Sequence, residues 1–502
     1  MKYILSIYFG YHDSCVTIAN EKEILLHLEA ERVFKKKHLR VDKEQMEILI
    51  AVALDHLNLS IEDIFIVYLA KWNNQFELEN FSLFGKTFTP ILTTHHNNHI
   101  GTAFPSGLNQ SIVVCADGGS EDGTTKIYKK NGDEIELLED LDSEIITGKF
   151  YGTITQIIVN PNFIRAHDTY PGRTMGLAGL GEFSIEFQNL IEHHKDKINS
   201  LHVTGCDDLR KVFGISNCYE NISLDKKRRD LAFTAQKMWQ DKFLEILEKY
   251  KENFDSVCLV GGCALNVSLN TALENSGWFK TVYVSPVSGD NGQSLGAILF
   301  HHHKIKCEYP YLGRNFGHAP INNEIIELVV SDLLQHKIIA WYDGRSEIGA
   351  RALGNRSLLG LPDSIFMKKR LSEEIKRRES YRPVAAIVLD SFVNEITSDI
   401  VSSPYMTFAP ILKKEVLGEI PAVVHFDGTC RLQTLSEHKN PLLYKIMDSL
   451  GQRTGYPVVM NSSLNIAGDA IVDTPEDAID TFIRSGADVL YVNGKRYEKN
   501  NN

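Results

Sequence analysis

Short apolar runs alternate with longer amphipathic stretches along the chain. Tyr3–Tyr8 is rich in β-formers, breaks at the polar turn Gly10-Tyr11-His12-Asp13 and resumes at Ser14–Ala19; a charged turn, Glu21–Glu23, leads to a third apolar run, Ile24–His27. Runs of this length between polar turns predict a β-meander. Asp42–Leu59 carries the 3.6-residue period of a helix. A second strand–turn–strand device follows: Ser111–Cys115, a Gly/Asp-rich turn at 117–123, and Lys126–Lys129. Beyond it come a long helical pattern at Asp230–Lys251, a strand at Ser256–Val260, the turn Gly261-Gly262 and a helix over Ala264–Asn275. Strand, glycine turn and helix together present backbone N–H groups to a phosphate or nucleoside.

His301–Pro320 lacks periodicity and is the expected domain boundary. A second unit begins with the strand Lys337–Trp341 and has further strands near Val384–Leu389 and Val458–Met460. Its helix Pro475–Arg484 opens with an N-cap threonine, a first-turn proline and two acidic residues. The closing GKRYEKNNN reads as a frayed tail, and no internal sequence repeat is visible. The pattern as a whole predicts an α/β protein.

Composition narrows the class. At roughly 100–200 residues per domain, 502 residues make two or three domains. A net charge of −12 argues against non-specific grip on nucleic acid, which needs a basic footprint. The eight cysteines form no CxxC pair and sit mostly in apolar runs, so buried reduced thiols are expected. There is no basic segment followed by an apolar core and small-residue cleavage site, and no apolar stretch of about 20 residues. The expectation is a cytoplasmic protein with no membrane partner.

Five constellations carry chemistry. In His95-His96-Asn97-Asn98-His99, the two outer histidines share a helix face and can chelate a metal; Asp290, between a predicted strand and helix, is the best third ligand. His12 beside Asp13 suits a general base steered by a carboxylate. The turns at Gly118-Gly119-Ser120 and Gly261-Gly262 allow close phosphate approach. Arg345, Arg351 and Arg356 lie among small residues in 344–357, followed by Lys376, Arg378, Arg382 and Arg431; in an acidic chain, such a concentration points to phosphate or carboxylate. Finally, Asn461–Asn465 can orient a small polar ligand after a buried strand.

In this order, the motifs resemble the nodulation and antibiotic O-carbamoyltransferases, the NodU/CmcH/TobZ family. The resemblance rests on His12-Asp13, Glu31-Arg32 with Lys37, HHNNH at 95–99, Tyr170–Ala178, GGCALN at 261–266, Gly344–Ser357, Lys376–Pro383, His425–Thr434 and Asn461–Asn465. It implies a sugar-kinase/actin-like (ASKHA) domain over 1–320, joined to a smaller YrdC-like α/β domain over 330–502. It further implies that carbamoyl phosphate and ATP form carbamoyl-adenylate in the C-terminal domain. Transfer to a hydroxyl of a small acceptor would then follow in the N-terminal one.

The resemblance implies site residues as well. Arg351, Lys376, Arg382, Arg431, Ser463 and Asn465 would hold carbamoyl phosphate. His95, His99 and Asp290 would hold iron(II). His12, with Asp13, would take the acceptor proton, and Lys37, Gly119, Ser120, Gly262 and Asn266 would contact the nucleotide. ATP with Mg2+, a homodimer and no nucleic-acid partner are the further expectations. The chain departs from the family at Gly349-Ala350-Arg351 (more often Gly-Pro-Arg), at Val384-Ala385-Ala386 (often Phe-Ala-Pro) and at Arg173 (usually Lys). Two other readings are a tRNA threonylcarbamoyladenosine-type transferase, which shares the domain types and the HxxxH pair, and a catalytically dead nucleotide-binding protein on the same scaffold.

Overall fold

Nearly every side chain of Tyr3–Phe9, Cys15–Asn20 and Ile24–Glu29 is buried, so both faces of this meander are covered. The three strands pair antiparallel, with Tyr3 opposite Asn20 and Tyr8 opposite Cys15. Ile64–Lys71 and Ile91–Thr93 extend the sheet beyond Tyr3–Phe9. The helix Lys43–His56 starts at a capping box in which Asp42 and Gln45 exchange side-chain and backbone hydrogen bonds. Its buried Met46, Leu49, Ile50 and Ala53 join Leu5, Ile7, Val16 and Ile18 in one core. The structure is a computed structural model and describes residues 2–71, 81–142, 144–159, 171–200, 206–216, 222–399 and 402–499.

A second five-stranded sheet runs in the order Glu134–Asp140, Gly123–Asn131, Gln110–Ser120, Ser256–Val260, Thr281–Val284. The first three strands are antiparallel, and Ser256–Val260 lies parallel to both of its neighbours. Both sheets therefore follow the order third, second, first, fourth, fifth. The architecture repeats where the sequence shows no repeat, because strand pairing requires only apolar spacing and turns, not recurring residues. The expected turn at 117–123 is tighter than predicted. Gln110–Ser120 continues through the glycine pair, pairing becomes irregular after Ala116, and Ser120 meets Gly123 again.

The third sheet has seven strands in the order Leu432–Leu435, Ala385–Leu389, Val458–Ser463, Arg356–Gly360, Ile339–Tyr342, Val489–Val492, Lys495–Glu498. Parallel and antiparallel pairs mix within it. Its strands alternate between two cores. Ile338, Ala340, Tyr342, Ala386, Val388 and Met460 face one, and Ile339, Trp341, Ile387, Leu389 and Val459 face the other. Two-sided burial explains why these strands read as unbroken apolar runs. The expected frayed tail is a correction: Lys495–Glu498 pairs antiparallel with Val489–Val492, and Arg496 forks onto Asp332 at 2.7 and 2.9 Å. A polar edge strand looks like a loop in sequence because charge is what keeps such an edge from pairing further.

By internal packing the chain divides into two units, Met1–Leu69, Asn73–Ile91 and Lys304–Asn502 in one, and Ala70–Trp72 with Leu92–His303 in the other. The described cysteines are free and, Cys307 apart, buried; Cys218 lies outside the described residues. Among the described residues, no helix is long and apolar enough to cross a membrane.

Candidate active site

The unit centred on 92–303 holds a cluster of nitrogen and oxygen donors. His95 and His99 lie one turn apart on the helix His95–Gly101, both buried, with their Nε2 atoms 3.1 Å apart. His95 Nε2 is 3.0 Å from Asp117 Oδ2 and 3.3 Å from Asp290 Oδ1; His99 Nε2 is 3.8 and 3.6 Å from the same atoms. Four side chains converge, so each can offer one ligand atom to a single cation. Asp117, the residue that ends the apolar part of its strand, was not among the predicted ligands. An aspartate followed by Gly-Gly reads as turn chemistry, and only the fold brings it opposite HxxxH.

Three local contacts place this centre. The residues just past the glycine pair cap the histidine helix: Glu121 and Asp122 accept the backbone N–H groups of His95 and His96 at 3.3 and 2.8 Å. Gln293 donates to the His95 carbonyl at 3.2 Å and accepts from Asn98 at 2.9 Å. The helices His95–Gly101 and Gln293–His301 touch backbone to backbone, because a Cβ on Gly101 would stand 2.0 Å from the Gly296 carbonyl oxygen and one on Gly296 1.7 Å from that of Asn98. This contact seats Asp290, at the head of the second helix, beside the imidazoles.

Electrostatics agree with a cation site. Burial would lower His95, yet Asp290 and Asp117 raise it well above the usual imidazole range. Burial would raise Asp117, yet hydrogen bonds with His95 and His99 hold it well below the carboxylate range. His96, by contrast, is pushed down to about 4 by burial and by His99, and bonds Tyr128 at 3.1 Å; it has a packing role. Nearby, Asp117 Oδ1 accepts the Gly262 N–H at 3.1 Å, so the two predicted glycine turns, at Gly119-Ser120 and Gly261-Gly262, meet at this aspartate. Gly261 holds φ +86° with the Ala116 carbonyl 2.2 Å from where a Cβ would be, so no side chain fits. Asn266 caps the helix Val267–Asn275, and its amide pairs with Gln236 at 2.9 and 3.3 Å.

The other unit gathers cations. Of the three arginines in 344–357, two are scaffold. Arg356 is fully buried, donates to the carbonyls of Asp343, Gly344 and Asn355 at 2.9–3.0 Å and stacks 3.6 Å over the Tyr342 ring. Arg345 donates to the carbonyls of Gly313, Leu312 and Leu25. Glu347, also buried, collects the N–H groups of Leu353, Asn355 and Arg356 at 2.6–3.3 Å. Arg32 ties the same loop by donating to Ser346, Glu347 and Gly349, while Glu29 accepts the Gly349 N–H at 2.6 Å. Arg351 is different. Its side chain, like that of Arg431, has no hydrogen bond or ion pair among the described residues, and Arg431 Nε is buried without a partner.

Burial, then Arg382, pushes Arg351 down to about 10, and burial followed by Arg351, Arg378 and Arg382 lowers Arg431. Lys37 is also lowered, by burial against the partial compensation of Glu31, with Arg378, Arg382 and Arg351 adding to the effect. Lys37 thus falls in this cationic group. Lys376 is buried, and its ammonium bonds the Ser463 carbonyl at 2.7 Å, the Asn465 carbonyl at 2.6 Å and the Asn465 side chain. It reaches this place at the end of a π-helical turn, Arg370–Ile375, and fixes the 463–465 segment.

His12 Nδ1 bonds Asp13 Oδ2 at 3.0 Å in the same unit. Asp13 holds φ +54°, a left-handed conformation rare for a residue with a side chain and frequent at functional turns. Of the landmark Tyr170–Ala178, Tyr170 lies outside the described residues; the rest forms the helix Pro171–Ala178.

Comparison with known proteins gives these clusters a family. Residues 83–299 match the model described as Carbamoyltransferase N-terminus, and 330–499 match Carbamoyltransferase C-terminus. An uncharacterized protein of Synechocystis sp. is 26% identical over 98% of this chain and 95% of its own length. Nodulation protein NolNO of Sinorhizobium fredii is 28% identical over 80% of this chain and 62% of its own length. Nodulation protein U of Rhizobium tropici is 37% identical over 42% of this chain and 39% of its own. Among solved structures, component A of (R)-2-hydroxyglutaryl-CoA dehydratase from Acidaminococcus fermentans is 15% identical, covering 61% of this chain and 99% of that one with a TM-score of 0.38. Full-length HypF, 14% identical over 60% of this chain and 55% of that one, scores 0.34. Scores this low carry no fold assignment. The two family models rest on both halves of the chain and embrace the histidine–aspartate centre and the arginine group alike, and so the chain belongs to the carbamoyltransferase family and is a transferase enzyme.

Proposed function

We propose that this carbamoyltransferase uses ATP, forms carbamoyl-adenylate from carbamoyl phosphate within residues 330–502, and transfers the carbamoyl group to a hydroxyl of a small molecule within 1–320. On this reading 1–320 is a sugar-kinase/actin-like domain and 330–502 a YrdC-like one. The repeated strand order of the first two sheets supports the former, and the separate family matches at 83–299 and 330–499 support a functional division between them.

One observation carries the reading. Arg351 and Arg431 are two half-buried guanidiniums near each other's charge, whose side chains have no carboxylate or carbonyl to bond among the described residues. Neighbouring cations partly shielded from water and without counter-charges repel one another, and a small dianion accepting their forks relieves that repulsion. Arg378, Arg382 and Lys37 add positive potential around it. The cations also favour the charge that develops as phosphate departs. Lys376 holds Ser463 and Asn465 in place as the wall of the pocket.

In the other centre, His95, His99, Asp117 and Asp290 fit a divalent ion, on our reading iron(II). Two imidazole nitrogens 3.1 Å apart cannot both point a proton at the other, and two carboxylates complete a mixed N/O donor set. When bound, such an ion supplies Lewis acidity to an oxygen of its ligand. The backbone at Gly119, Ser120 and Gly262 gives the nucleotide phosphates, with Mg2+, a close approach. His12, aligned by Asp13, accepts the proton of the attacking hydroxyl as its oxygen bonds the carbamoyl carbon and AMP leaves. A cytoplasmic homodimer remains our expectation for the assembly.

The test is direct. Purified protein is incubated with carbamoyl phosphate, ATP and a panel of hydroxylated metabolites, with tRNA as a separate arm. Carbamoyl phosphate-dependent pyrophosphate release and a carbamoyl mass gain on an alcohol are expected. A gain only on tRNA adenosine would overturn the acceptor assignment, and full pyrophosphate release by Arg351→Ala would overturn the pocket.

A further inference from the structure

The carboxylate of Asp13 is shared. Its Oδ2 meets His12 Nδ1 at 3.0 Å, and its Oδ1 meets His38 Nδ1 at 2.9 Å. The two imidazoles lie edge to face, ring centroids 6.1 Å apart at 89°. His38 comes from a different segment, and nothing in its sequence surroundings singles it out. Like Asp13 it holds a positive φ, +49°, so both ends of the Asp13–His38 bond rest on left-handed backbone. The His38 N–H donates to Glu31 Oε2 at 3.1 Å, which fixes the segment to the helix Ala30–Val33. From the reading of His12 as the proton acceptor, on which this rests, we infer that His38 is a positioning residue. It donates Nδ1–H to Asp13, which turns the carboxylate so that His12 is held by its own Nδ1–H and keeps Nε2 for the acceptor hydroxyl.

One carboxylate and two imidazoles are also a donor set for a divalent cation. Two features favour the hydrogen-bonded reading. The imidazoles address different oxygens, each at hydrogen-bond length. The charge around them is also positive, since Lys37 adjoins His38 and itself lies near Arg351, Arg378 and Arg382, against the acids Asp13 and Glu31 and, beside Arg382 at 3.9 Å, Glu379. A second cation would enter an already cationic neighbourhood.

Removing His38 leaves the Asp13 carboxylate to His12 alone, which then holds its proton more tightly. The base becomes available only at higher pH. In His38→Ala, transfer should fall about tenfold or more relative to carbamoyl-adenylate formation in the same sample, a part of what a general base contributes. The loss should lie in kcat rather than in KM for the acceptor, with the acid limb of the rate displaced to higher pH. His38→Gln, whose amide can still donate to Asp13, should restore part of the rate and serves as the second variant if the alanine protein does not fold. NMR titration of His12 without substrates should show the same upward displacement in the alanine variant. An unmoved His12 titration with an unmoved acid limb overturns the inference, as does loss of bound metal in His38→Ala. If wild-type protein makes no carbamoyl-adenylate, the functional reading fails, and the NMR titration still decides whether His38 sets His12.

Discussion

Replacing Arg351 and Arg356 separately distinguishes a ligand-facing arginine from a scaffold one. Arg351→Ala removes no side-chain hydrogen bond or ion pair among the described residues and should leave stability nearly unchanged while abolishing carbamoyl phosphate-dependent pyrophosphate release. Arg356→Ala strands the carbonyls of Asp343, Gly344 and Asn355. At 1–3 kcal/mol for a buried unsatisfied group, it should cost about 3 kcal/mol or more in denaturant unfolding. Asp117→Asn keeps an acceptor for the Gly262 N–H but removes a charge from the donor cluster, so bound metal, read by calorimetry, should weaken about tenfold or more, roughly 1.4 kcal/mol. Proton competition has a defined sign here. Neighbouring carboxylates raise His95, so in the metal-free protein it holds its proton at neutral pH and gives it up only as pH rises. Metal binding must release that proton. Affinity should therefore strengthen as pH rises from about 6 towards 9 and fall on acidification, with proton release detectable in buffers of different ionisation enthalpy.

At the scale of elements, the contact between His95–Gly101 and Gln293–His301 governs the metal centre. Gly296→Ala puts a methyl group into the Asn98 carbonyl. The helices must separate, which should cost about 3 kcal/mol and displace Asp290 from the imidazoles, so metal and stability are lost together. Gly152→Ala is the control: it lies inside the helix Gly148–Ile158 with open space at its Cβ, and should be neutral or stabilising by up to about 1 kcal/mol. Thermal melts of both variants, with and without added metal, separate the two effects.

For the whole molecule, the proposal is a division of labour between two clusters in one chain. His95→Ala should form carbamoyl-adenylate without transferring it, and Arg351→Ala should do neither. If the intermediate passes within one chain, mixing the two variants should not restore transfer to the panel acceptors; restoration would show that it diffuses free. The overall charge of −12, with cations gathered at the arginine group, suits a small dianion better than a nucleic acid.

Much of this was determined by the sequence, because it depends on local pattern. Strand Ser256–Val260 and helix Pro475–Arg484 stand where periodicity and capping place them. His95 and His99 needed only helical spacing to share a face, and His12-Asp13 only adjacency. What tertiary structure decided depends on groups far apart in sequence. It selected Asp117 as a fourth donor, separated Arg351 from its scaffold neighbours Arg345 and Arg356, placed Lys37 with the arginines, and brought His38 to Asp13. It also paired the polar tail as an edge strand and repeated a strand order that no residue repeat announces. An arginine's role is fixed by which carbonyls reach it, and that is a property of the folded chain, not of its neighbours in sequence.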